Sequence, residues 1–157
     1  MVLSDMTLTQ ILEPTCIKVP LEGKDKQSVI RELVDLLDGN GQLIDRDVVL
    51  EAVMLREQTR STGIGSGIAV PHGKCNAVEE LVIAIGISNE GIDFESVDGR
   101  PVTIVILLVS PADQTGPHIQ ALARISRLML DEEFRTKLAG ASSAKAAYEL
   151  LSKKESE

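Results

Sequence analysis

Two apolar runs of strand length, Leu81 to Ile87 and Pro101 to Val109, set the tightest limit on what this 157-residue chain can fold into. Successive side chains of a strand point to opposite faces, so a run that is apolar at every position must be covered from both sides. A sheet with helices over both faces meets that demand. The expected class is therefore α/β, a mixed β-sheet flanked by helices on both faces, in one domain. Length agrees, since a chain of this size buries roughly 70% of its unfolded surface in one core and is short for two. Neither run approaches the ~20 residues of a membrane-spanning helix, and Met1 to Ile11 lacks the basic start and apolar centre of an export signal. The chain reads as soluble and cytoplasmic, with no direct membrane insertion and with Cys16 and Cys75 as reduced thiols.

Helix signals surround the two runs. Asp25 offers a cap, and Val29, Ile30, Leu33, Val34, Leu36 and Leu37 recur at helical spacing until Gly39 and Gly41. Asp45 caps a second helix to about Thr59, with Val49, Ala52 and Val53 on its apolar face and Arg56 in the middle of that face. An arginine so placed either meets a carboxylate or phosphate, or snorkels out at the helix end; both readings stand. Glu51 and Gln58 fall on the opposite side. Upstream, Thr7 to Leu12 makes one helical turn ended by Pro14, and Cys16 to Val19 alternates like a short edge strand. Between the apolar runs, turn signals at Asn89-Glu90-Gly91 and Asp98-Gly99 bracket a short edge strand, Ile92-Asp93-Phe94. Ser110 to Gly116 reads as a loop, after which Pro117 takes the first helical position. His118 then sits in the first turn, and Ile119, Leu122, Ala123, Ser126 and Met129 face the core. Asp131 caps a short helix through Ala139, and Ser142 or Ser143 opens a last one through about Lys153.

A formal net charge of -8 and only three aromatic rings, Phe94, Phe134 and Tyr148, exclude a basic phosphate-tracking face and base-stacking platforms, so no nucleic acid is expected as a partner. Chemistry concentrates instead from Ser61 to Lys74, where Gly63, Gly65 and Gly67 precede a histidine fenced by Pro71 and Gly73. The glycines do not make a nucleotide loop: Lys74 is followed by Cys75 rather than Ser or Thr, and their spacing of two leads into a strand-like run. They do not announce a metal site either, because His72 and Cys75 have no second ligand pair; Cys75 reads as a small buried apolar side chain. Covalent catalysis at a histidine remains. A neutral imidazole is a good nucleophile toward phosphorus, and His118 at a helix start feels the positive end of the helix dipole. Arg56 is placed to pair with a transferred group, and Ser61 and Thr62 to donate hydroxyl hydrogen bonds to it. Each histidine alone fits an ordinary half-buried residue, whereas two of them in glycine- or proline-bounded loops beside strand ends favour the functional reading.

Leu55-Arg56-Glu57, Ser61-Thr62-Gly63 and Gly67-Ile68-Ala69-Val70-Pro71-His72-Gly73-Lys74 together resemble the IIA component of the fructose/mannitol class of the bacterial phosphoenolpyruvate-dependent sugar phosphotransferase system. The likeness continues through Gly91-Ile92-Asp93-Phe94, Asp98-Gly99-Arg100-Pro101 and His118-Ile119-Gln120-Ala121-Leu122-Ala123-Arg124-Ile125, and spans about Leu8 to Leu151. It implies that His72 takes a phosphoryl group from an HPr-like histidine phosphocarrier protein and passes it to a IIB component or displays it to regulated proteins. It also implies that His118 is the second active-site histidine and Arg56 the active-site arginine, and it calls for no cofactor, metal or nucleotide. The family fold, a mixed sheet flanked by helices, agrees with the reading of the apolar runs. The segment from Leu12 to Leu37 and the Pro-His-Gly-Lys sequence look most like the stand-alone nitrogen-related regulatory branch, and the chain carries no IIB or membrane IIC segment. A IIA feeding a separate fructose or mannitol transporter is the alternative, and a non-phosphorylated protein-binding module of the same fold is a third.

Overall fold

The computed structural model describes residues 7–59 and 62–157. Along the chain run helix α1 (Leu8–Ile11), strand β1 (Ile17–Lys18), helices α2 (Lys26–Gly39) and α3 (Arg46–Thr59), and strands β2 (Gly63–Gly65), β3 (Ile68–Ala69), β4 (His72–Lys74), β5 (Val82–Ile92) and β6 (Val102–Ser110). Helices α4 (Thr115–Leu128), α5 (Glu132–Ala139) and α6 (Ala144–Glu155) complete it. Side-chain caps start the helices where short polar residues stand. Asp25 accepts from the Ser28 amide at 2.8 Å, Asp45 from the Val48 amide at 3.3 Å, Asp131 from the Phe134 amide at 3.2 Å and Ser143 from the Ala146 amide at 3.0 Å. Each such cap satisfies an amide that has no partner within the helix, worth about 1 kcal/mol.

The six strands form one mixed sheet in the order β1-β5-β6-β3-β2, with β4 also paired to β6. β5 and β6 are antiparallel, β1 runs parallel to β5, and both β3 and β4 run parallel to β6. From Ile104 to Ser110 every residue of β6 is buried, so both faces of the central strand are covered. The helices fall into two sets to do this: α2 packs with α3, while α1, α4, α5 and α6 pack with one another. Sheet class and helical flanks match the expectation from the apolar runs. Burying one Ile or Leu of this core contributes roughly 1.5–3 kcal/mol.

Three local readings are overturned. Asn89-Glu90-Gly91 is not a turn and Ile92-Asp93-Phe94 is not a separate strand: β5 continues to Ile92 through a bulge, with the register against β6 shifting between Ile87 and Ile92. Gly91 adopts φ +87° there and its amide donates to Ser88 Oγ, so the glycine bends a strand instead of ending it. Helix α4 begins two residues before Pro117, whose missing N–H falls among the amides that have no helical acceptor anyway. Its buried residues are His118, Ala121, Ile125 and Leu128; of the expected face Ile119 is 57% exposed, whereas Leu122 packs against the core and Met129, just past the helix, is buried. The rotation brings His118 inward together with Ala121, Ile125 and Leu128.

Helix α3 also differs from its sequence pattern in an informative way. Its buried residues are Val49, Val53 and Glu57, while Glu51 and Gln58 are exposed as expected. Glu57 is neutralised by Lys26 of α2 at 3.1 Å, and both side chains are nearly inaccessible. The ion pair therefore clamps the start of α2 to the end of α3. Glu57→Gln leaves the buried ammonium only the longer contact to exposed Glu95, at 3.7 Å, and is expected to lower the unfolding free energy by about 3 kcal/mol, and adding Lys26→Met should restore most of the loss. Denaturant unfolding checks both; a single variant within about 1 kcal/mol of wild type contradicts the clamp.

Candidate functional site

His72 owes its place to an interrupted strand. Residues 68–74 run along one edge of β6 in a single register, Ile68 opposite Ile104 and His72 opposite Leu108, although Pro71 contributes no amide between them. The Pro71 carbonyl still accepts from the Leu108 amide at 3.0 Å, so the proline interrupts the ladder on the donor side alone. Upstream, Gly65 and Gly67 adopt φ of +97° and +81° around Ser66 and reverse the chain from β2 into β3. Gly73 serves differently: a Cβ there would meet the backbone of Ala52 and Val53 at 3.3 Å, so α3 lies directly against the strand. Strand neighbours point oppositely, so His72 and Lys74 face the other side, where Lys74 Nζ meets Thr115 Oγ1 of α4 at 3.4 Å.

That side holds the second imidazole. The rings of His72 and His118 lie 5.5 Å apart between centroids and are tilted by 57°. His72 Nδ1 is 2.7 Å from the Val70 carbonyl oxygen, which can only accept, so Nδ1 carries the hydrogen and Nε2 is left with a bare lone pair. His118 Nδ1 lies 2.6 Å from the hydroxyl of Ser110, the last residue of β6. The contact lies on the buried face of α4, which runs through His118, Ala121, Ile125 and Leu128. The His118 amide makes the first bond of α4, to the Gln114 carbonyl, so the Thr115 and Gly116 amides ahead of it mark the positive end of the helix. Arg56 is half-buried on α3, and its charge reaches His72.

Electrostatics keeps both rings neutral. Burial lowers the pKa of His72 below the ordinary 6.5, the Val70 bond and Glu57 partly oppose this, and the charges of Arg56 and Lys74 add to it. For His118 burial is again the largest cause, joined by His72 and Lys74, and the value falls to about 4. Two neutral imidazoles among cationic neighbours make a site that repels protons and attracts anions.

Of the residues singled out from the sequence, His72 and His118 are brought together and Arg56 stands near them. Thr62 is engaged otherwise: its amide and hydroxyl donate to the Glu57 carboxylate at 2.9 and 2.5 Å, so the Glu57 carboxylate ties the start of the 62–74 segment to α3. Ser61 lies outside the described residues. Cys75 is half-buried against the core, in line with its apolar reading. Sequence reasoning passed over Glu57, Lys26 and Ser110. Ser110 did carry a signal, as a polar residue closing a mostly apolar strand.

A profile of the family described as "Phosphoenolpyruvate-dependent sugar phosphotransferase system, EIIA 2" matches residues 10–154. The chain is 40% identical over 146 residues to the "PTS system fructose-specific EIIABC component" of Bacillus subtilis, covering 93% of this chain but 23% of that longer protein. It is 35% identical over 147 residues to a "Nitrogen regulatory protein" of Bradyrhizobium diazoefficiens, covering 93% of this chain and 95% of the relative. Among solved structures, nitrogen regulatory protein IIA-Ntr from Neisseria meningitidis superposes with a TM-score of 0.84 at 28% identity, covering 92% and 98% of the two chains. Among the described residues no helix is long and apolar enough to cross a membrane.

Both histidines are expected to titrate below 6.5, with a His118 midpoint near 4, when their ring protons are followed by NMR. Because the unfolded chain binds these protons already near pH 6.5, the histidine contribution to stability should fall as pH drops from about 6.5 to about 4 and level off below that. A His118 midpoint at or above 6.5 contradicts the burial-driven shift.

Proposed function

This chain belongs to the EIIA 2 family of the phosphoenolpyruvate-dependent sugar phosphotransferase system, and we propose that within it His72 Nε2 carries the phosphoryl group. IIA components of this system are phosphoryl carriers; the histidine assignment rests on one observation above the others, the bond from His72 Nδ1 to the Val70 carbonyl. That bond fixes which nitrogen is the nucleophile before any donor arrives. In the transfer, the Nε2 lone pair forms the new N–P bond as the N–P bond of the donor's phosphohistidine breaks and returns its electron pair to the donor ring. No proton moves, since Nδ1 keeps its hydrogen on Val70. The donor is a histidine phosphocarrier protein.

Charge on the transferred group is met from three directions. His118 approaches from α4, the Arg56 guanidinium from α3, and the N-terminal end of α4 adds its dipole. Thr62 contributes by holding the segment to Glu57 rather than by touching phosphate. Regulation by phosphorylation state is the role we favour for the carrier, on the likeness to the Bradyrhizobium and Neisseria proteins over nearly their whole lengths. Identity to the fructose-specific Bacillus protein supports a second reading, donation to a IIB component in sugar uptake.

Labelling from phosphoenolpyruvate through the general phosphotransferase components tests the assignment. His72→Ala should lose acid-labile label entirely, and His118→Ala should keep some capture while passing the group on about a hundredfold more slowly. Undiminished labelling of the His72→Ala protein refutes the carrier role. Transfer of the label from wild type to a fructose- or mannitol-class IIB, and from there to sugar, would favour uptake over regulation.

A further inference from the structure

Resting on the carrier reading, we propose that Ser110 is a positioning residue that fixes His118 as its Nε2–H tautomer, so that the two imidazoles of the site hold opposite tautomers. His72 then presents a bare Nε2 to phosphorus, and His118 presents the N–H that meets the phosphoryl oxygens. The inference comes from counting hydrogens in a closed space. Ser110 is fully buried and His118 is 3% exposed, with Oγ and Nδ1 2.6 Å apart. A hydroxyl has one hydrogen to donate, and among the described residues Ser110 Oγ has no hydrogen-bond partner other than His118 Nδ1. The Ser110 carbonyl is engaged separately, by the Cys75 amide at 3.1 Å. If Nδ1 carried the ring hydrogen, it would donate to Oγ and leave the hydroxyl hydrogen buried without an acceptor, which is the costly arrangement. The hydroxyl therefore donates to Nδ1, and the neutral ring keeps its single hydrogen on Nε2.

Ser110 can do this because its backbone is held in the sheet. It closes β6, paired in register with Lys74 of β4, so its hydroxyl is tied to the same ladder that holds His72. Two consequences follow for transfer. An Nε2–H donor stabilises the oxygens of the phosphoryl group, where a bare nitrogen would repel them. The hydrogen also masks the nitrogen of His118 that would otherwise compete for phosphorus, so Ser110 helps to decide which of two neighbouring histidines is charged.

Long-range 1H–15N correlation spectra of the unphosphorylated, 15N-histidine-labelled chain read the tautomer directly. Wild type should show a pyridine-type Nδ1 and a pyrrole-type Nε2 for His118, the reverse of His72. Ser110→Ala should give a mixture of tautomers at His118 and pass phosphate on about tenfold more slowly, whereas Ser110→Thr keeps the hydroxyl and should retain the wild-type tautomer and rate. A wild-type spectrum with a pyrrole-type Nδ1 at His118 overturns the proposal whether or not the variants fold. A folded Ser110→Ala chain with an unchanged His118 tautomer overturns it as well. Because the spectra need no phosphate, a failure of the carrier reading would appear in the labelling alone and leave this test standing.

Discussion

The ladder joining residues 68–74 to β6 keeps one register across a proline, and both imidazoles depend on it. His72 stands opposite Leu108, and two residues further along, Ser110 closes the same strand and holds His118. Distances within the site are thus set by backbone hydrogen bonds of a strand that is buried from Ile104 to Ser110. The proline has a local use as well, because it biases Val70 toward an extended conformation, and the Val70 carbonyl lies 2.7 Å from His72 Nδ1. A site built this way has the His72 imidazole oriented before a partner binds, so that no rate is lost to reorganisation if this ring carries the transferred group.

Around that ladder, charge is arranged in two shells of opposite purpose. Next to the rings stand Arg56 and Lys74, which favour an incoming anion and disfavour protonation of the histidines. Further in, Glu57 is paired with Lys26 and accepts from Thr62, which neutralises a carboxylate that would otherwise repel phosphate. A buried ion pair is weak evidence for stability, since desolvation offsets much of its attraction. Its value here is geometric: one carboxylate joins α2, α3 and the segment that leads to His72. The acidic side chain beside Arg56 thus acts on the scaffold.

Elements with local causes were the legible ones. Asp25, Asp131 and Ser143 cap the helices they were expected to cap, and the two apolar runs are the buried strands β5 and β6. The pairing of His72 with His118 and the nearness of Arg56 followed from the motifs and the family resemblance. Readings failed where a tertiary contact outweighed a local pattern. Ile119 begins a good helical stripe, yet α4 buries the stripe of His118, Ala121, Ile125 and Leu128 and leaves Ile119 exposed. Asn89-Glu90-Gly91 has turn composition, yet pairing with β6 draws it into a bulged strand. Thr62 looked like a phosphate donor because a free hydroxyl is assumed for any threonine near a histidine, and nothing in the linear sequence says that Glu57 turns inward to take it. Ser110 stood out as a polar residue at the end of an apolar strand, but its role is given by the buried 2.6 Å contact with His118.

The central claim is that the backbone selects the reacting atom, Nε2 of His72. The most direct measurement is the phosphorus-nitrogen coupling in the phosphorylated, 15N-histidine-labelled chain. Phosphorus coupled to Nε2 of His72, with Nδ1 still protonated, is the expected result. Phosphorus on Nδ1 of His72, or on either nitrogen of His118, would contradict it.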